Sequence, residues 1–268
     1  MASKYFDQEM GKIAYDDQGK GPLVVCIPSM GDVRGEYRFL NPQLVSAGYR
    51  AVSMDVRGMG ETTTNWNDYS VVGVGKDIIG MIRELNVGPA IIVGTSMAAG
   101  AAVWAAAEAP DLIRGMILVG PFVRGAGNAL LGTVFSMLFA RPWGPSLWVR
   151  YYSNLYPTCK PADFTEYSAA LLRNLKERGR LESLLQMIRA SKRASEERIS
   201  QVHKPTLVLM GSKDPDFKNP ESEAKWVAEN LKGTYAMIEN AGHYPHAEMP
   251  EVTGPFILDF IRSLPGDQ

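Results

Sequence analysis

With 268 residues, 46% of them hydrophobic and 21% charged, the chain is long enough to bury a sizeable core in one or two domains. A formal net charge of −1 argues against a nucleic-acid binder, and two cysteines, Cys26 and Cys159, in no metal-ligand spacing argue against a disulfide framework. The opening Met1-Ala2-Ser3-Lys4-Tyr5-Phe6-Asp7 has no apolar signal core and no stretch reaches the ~18 apolar residues of a membrane span, so the expectation is a cytoplasmic protein.

Strands and helices alternate over the first 122 residues. Ile13 to Asp16 and Leu23 to Ile27 read as strands around the turn Gln18-Gly19-Lys20-Gly21. A helix is expected from about Glu36 to Ala47, stopped by Gly48, then a strand from Arg50 to Asp55. Ser70 can cap a helix whose apolar Val71, Val74, Ile78, Ile82 and Leu85 recur at three- and four-residue steps. Ala90-Ile91-Ile92-Val93 is a short buried strand, Gly100 to Ala109 an alanine-rich helix, and Met116 to Val119 the next strand. Repeated β–α units with short apolar strands imply a parallel sheet covered by helices.

The alternation breaks at Pro121. From about Val123 to Lys204 no strand is expected. Leu130, Leu131, Val134, Phe135, Met137, Leu138 and Phe139 suggest a helix that is apolar nearly all round. Leu171, Leu172 and Leu175 form a weak stripe; Leu181, Leu184, Leu185 and Ile188 form a clean one. Alternation resumes with a strand at Thr206 to Met210 and a helix opened by Asn219-Pro220. A strand at Tyr235 to Glu239 and a closing helix at Thr253 to Ser263 follow. The economical organisation is one α/β core, residues 1–122 and 205–268, interrupted by a helical insertion, 123–204. That insertion carries 13 Lys and Arg against 6 Asp and Glu. Solvated helix faces account for this excess more simply than attraction of a carboxylate substrate does.

Gly94-Thr95-Ser96-Met97-Ala98 lies between a buried strand and a helix. A sharp turn there lifts the central serine out of the sheet, and small residues two places to either side let strand and helix cross closely. The helix N-terminus directs free N–H groups toward the same point. Gly211-Ser212-Lys213-Asp214 and Asn240-Ala241-Gly242-His243 each follow a late strand, so Ser96, Asp214 and His243 should converge at the carboxyl ends of the strands. Asp216 competes with Asp214 as the acid, and the Gly-x-x-Asp spacing favours Asp214.

These motifs, with Asp55-Val56-Arg57-Gly58-Met59-Gly60 and Ala241-Gly242-His243-Tyr244-Pro245-His246, resemble the α/β-hydrolase fold superfamily, in its serine-nucleophile form with a helical cap. The resemblance spans the whole chain and implies a mostly parallel central sheet flanked by helices. It further implies Ser96 as nucleophile, His243 as base and Asp214 as its partner. The backbone N–H groups of Met30 and Met97 would form the oxyanion hole, Pro28-Ser29 standing where many relatives carry His-Gly. Asp32 is placed to touch substrate or water, and Phe122, Trp143 and Trp148 either line an apolar pocket or simply pack. His203 and His246 read as structural, Asp55 and Arg57 as shaping a loop, and Glu248 as a capping group.

The expected function is cofactor-free and metal-free hydrolysis of an ester-like bond in a small apolar molecule, by a carboxylesterase or lactonase. The alternatives are carbon–carbon bond hydrolysis of a diketone-like compound, perhydrolysis, and slow-turnover ligand sensing with a protein partner. Serine at position 96 argues against epoxide hydrolases and haloalkane dehalogenases, which carry aspartate there.

Overall fold

Short runs of apolar, often β-branched residues build the sheet, because a strand covered on both faces needs no polar alternation. Residues 3–125 and 136–265 are described in the computed structural model. The strands are β1 (Lys4–Gln8), β2 (Gly11–Gln18), β3 (Leu23–Ile27), β4 (Arg50–Met54), β5 (Ala90–Thr95), β6 (Ile113–Val119), β7 (Thr206–Gly211) and β8 (Thr234–Ile238). They form one eight-stranded sheet in the order β1-β2-β4-β3-β5-β6-β7-β8. β1 and β2 pair antiparallel, β2 joins β4 antiparallel, and every later pairing is parallel.

Helices α1 (Leu40–Ser46), α2 (Val71–Leu85) and α3 (Met97–Glu108) belong to the first half of the sheet. Between β6 and β7 lie α4 (Gly144–Asn154), α5 (Phe164–Lys176), α6 (Arg180–Arg189) and the short α7 (Arg193–Glu196). α8 (Pro220–Leu231), α9 (Pro245–Glu248) and α10 (Pro250–Ser263) complete the chain. Among the described residues, two apolar clusters flank the sheet. The larger joins α2, α3 and the helices after β6, and the smaller joins α1 and α10.

Most elements fall where periodicity puts them. Ser70 caps α2 by accepting from the Val72 N–H at 3.1 Å, and Asn219 caps α8 by accepting from the Ser222 N–H at 3.0 Å. β1 was not expected; it is an edge strand in which only Phe6 is buried, so it carries almost no apolar pattern. The helix expected over 36–47 is divided into a 3₁₀ turn, Arg34–Tyr37, and α1. Of the apolar run 130–139, residues 130–135 lie outside the described residues. Met137 and Leu138 are exposed, while Phe139 is buried against Trp148.

The loop after β4 is built around buried charge. Arg34 donates to Asp55 through its backbone N–H at 2.7 Å and through its guanidinium, and the Glu61 N–H adds a bond at 2.9 Å. Arg57 donates to both oxygens of Asp77 on α2, at 2.6 and 2.8 Å, and its guanidinium stacks over Trp66 at 4.6 Å. Removing one partner strands a charge away from water. Asp77→Ala is therefore expected to cost about 3–5 kcal/mol of unfolding free energy in urea.

Candidate active site

The candidate site stands at the carboxyl ends of β3, β5, β7 and β8. Ser96 follows β5 directly and has φ 58° and ψ −120°, a positive φ that a non-glycine residue rarely adopts. The turn is tight enough that a Cβ on Gly94 would lie 2.8 Å from the Ala98 carbonyl oxygen, which explains the small residue there. Backbone bonds hold Ser96 in place: its N–H donates to Val119 O at 2.8 Å, and its carbonyl accepts from Phe122 N–H at 3.1 Å.

That same 119–122 segment abuts the histidine. A Cβ on Gly120 would meet His243 Nδ1 at 2.9 Å, and the Phe122 ring lies 5.9 Å from the imidazole, edge to face. Residue 120 is therefore a glycine partly to leave room for the ring. His243 Nδ1 is 2.7 Å from Asp214 Oδ2, with both side chains fully buried. Asp216 lies on the other side of the ring, its Oδ2 3.9 Å from His243 Nε2. Burial disfavours the charged imidazole, but the Asp214 and Asp216 carboxylates outweigh it and lift its pKa to about 9.

Met97 is the first residue of α3, where a backbone N–H has no carbonyl one turn back to bond to. Met30 lies in the loop after β3, half-buried. Several bonds brace that loop. Ser29 N–H donates to Glu36 Oε2 at 2.8 Å, and Ser29 Oγ pairs with the Tyr244 hydroxyl at 2.6 Å. Trp148 Nε1 on α4 donates to Gly31 O at 3.1 Å. His246 supports the same brace, with Nε2 3.1 Å from Glu36 Oε1 and its ring stacked on Tyr37.

Asp32 is buried beside this loop, its Oδ1 accepting from the Tyr167 hydroxyl at 2.6 Å. Burial first, and the neighbouring Glu36 carboxylate second, push its pKa up to about 7. Phe122 packs tilted against Phe217, with ring centres 4.6 Å apart, next to His243. Trp143 is not brought to the site: it is 58% exposed and donates to Leu138 O. His203 is exposed.

Glu248 is no helix cap. Its carboxylate is buried and accepts three backbone N–H bonds, from Gly242 at 2.6 Å, Thr158 at 3.0 Å and Cys159 at 2.9 Å. It ties the His243 loop to the segment after α4, whose Leu155 carbonyl also accepts from His243 N–H at 3.0 Å. Two further residues at the site, Tyr151 and Glu36, carried no sequence signal, because their partners are 65 and 210 positions away in the chain.

A family model for the alpha/beta hydrolase fold matches residues 22–250. The chain belongs to that family. A Mycobacterium tuberculosis protein, BpoC, that carries a non-heme bromoperoxidase name is 34% identical over 111 residues; the match spans 41% of this chain and 42% of BpoC. Among solved structures, a bromoperoxidase from Bacillus anthracis superposes with a TM-score of 0.84 at 20% identity, covering 98% of this chain and all of that one. A thermophilic esterase from Thermogutta terrifontis, solved with malate bound, gives 0.82 at 20% identity and 98% of both chains. At that identity the likeness is one of fold. Among the described residues no helix is long and apolar enough to cross a membrane.

Proposed function

We propose that this protein is a cofactor-free serine hydrolase, a carboxylesterase or lactonase acting on a small, largely apolar molecule through an acyl-enzyme on Ser96. The observation that carries the reading is the strained Ser96, bonded to the segment that packs on the His243–Asp214 pair. A serine hydroxyl attacks a carbonyl only when a base takes its proton. His243 Nε2 is that base, and Asp214 at Nδ1 fixes the tautomer and stabilises the imidazolium. The Met30 and Met97 amides receive the charge that grows on the carbonyl oxygen, each contributing about 3–4 kcal/mol to lowering the barrier. The alcohol leaves with the proton from Nε2, and water attacks the acyl group by the same path in reverse.

The helices within 123–204 serve as a cap over this site. In support, α4 contacts the loop after β3 through Trp148 and the loop after β7 through Tyr151, while Tyr167 of α5 bonds Asp32. Rapid release of chromophore from short-chain p-nitrophenyl esters tests the function; wild-type protein that hydrolyses none of them contradicts it. The raised imidazole pKa adds a pH signature, because only the neutral ring accepts the serine proton. kcat/KM on a neutral ester should rise with pH, with its acid limb between the ordinary 6.5 and about 9. The bromoperoxidase names of relatives favour one further reading, in which hydrogen peroxide replaces water in deacylation and releases a peroxyacid. Peroxyacid formation from acetate and peroxide by wild type, lost in Ser96→Ala, would support it.

A further inference from the structure

We infer that Asp216 selects the leaving group, favouring esters whose alcohol carries a cation over neutral and anionic ones; the inference rests on the roles proposed for Ser96 and His243. In acyl transfer Nε2 hands its proton to the departing oxygen, so the alcohol begins within hydrogen-bond reach of that nitrogen. Asp216 Oδ2 is 3.9 Å from the same Nε2, and the first carbons of the alcohol must pass close to its carboxylate.

The carboxylate is fixed rather than free. Its backbone N–H donates to Asp214 Oδ1 at 3.0 Å, and the Tyr151 hydroxyl shares its proton between the two Asp216 oxygens at 2.7 and 2.8 Å. Its side chain is 15% exposed, so it is screened from bulk water but still reachable. The neighbouring Phe122 and Phe217 rings offer the aromatic faces on which an alkylammonium packs. Lys192 Nζ, 5.7 Å from the Phe122 ring centre, is an opposing charge, yet Asp216 stands directly at the imidazole.

At several ångströms in a partly screened site, one carboxylate should discriminate between a cationic and a neutral alcohol on the order of tenfold. The test compares butyrate esters of choline, of its neutral isostere 3,3-dimethylbutanol and of 3-hydroxypropanoate. Wild-type kcat/KM should fall in that order, with choline ahead of the isostere by about tenfold. Asp216→Asn keeps an acceptor for Tyr151 but loses the charge, and should bring the choline-to-isostere ratio to near one. Tyr151→Phe leaves the charge and removes its hydrogen bond, so it should hold or raise the ratio. A ratio unchanged in Asp216→Asn, or altered equally by both variants, overturns the selection while loss of all three activities in Ser96→Ala leaves the nucleophile standing. Wild-type protein that hydrolyses none of the three overturns both.

Discussion

Ser96→Ala is expected to lower kcat on a short-chain p-nitrophenyl ester by about 10⁵- to 10⁶-fold, because losing the proposed nucleophile removes the proposed covalent route and leaves only binding and the proposed oxyanion donors. Its thermal midpoint should match that of wild type. Alanine retains the Cβ that is strained at φ 58°, so the strain at this turn is unchanged. Ser96→Gly should be equally inactive yet about 1 kcal/mol more stable, since glycine adopts positive φ without a steric cost. Circular-dichroism melts and steady-state rates measure both halves. An inactive glycine variant that is less stable than wild type would contradict the strain argument.

The second large effect separates the two aspartates. Asp214→Asn should drop kcat by about 10⁴-fold with the fold intact, since the amide cannot hold the Nδ1–H tautomer or stabilise the imidazolium. Asp216→Asn should cost at least about a hundredfold less on a neutral ester, because its carboxylate is 3.9 Å from Nε2 and accepts from Tyr151 instead. A larger loss for Asp216→Asn than for Asp214→Asn would exchange their roles.

The sheet and the placing of Ser96, Asp214 and His243 were legible in the sequence because each depends on local order. A buried strand, a tight turn and a following residue can be read within about ten positions. The Gly-x-x-Asp spacing likewise pointed to Asp214, which is the carboxylate at 2.7 Å from Nδ1. β1 escaped because an edge strand with one buried residue has no period to detect. Glu248 reads as a cap from its place near the start of the closing helix, and that place gives no sign of the three N–H groups that reach it from the His243 loop and the segment after α4. Trp143 and Trp148 look alike in sequence, five residues apart. Only the packing of α4 sends Trp148 inward to Gly31 and leaves Trp143 at the surface. Gly120 gives no motif at all; its need for a missing side chain comes from an imidazole 123 positions later.

The most direct measurement is covalent labelling by a fluorophosphonate, with the modified peptide located by mass spectrometry and the labelling rate compared between wild type and His243→Ala. If the hydroxyl at 96 is activated by the imidazole at 243, wild type carries one adduct, on Ser96, and His243→Ala labels at least about a hundredfold more slowly. An adduct on any other residue, or a Ser96 that labels as fast without the imidazole, would contradict it.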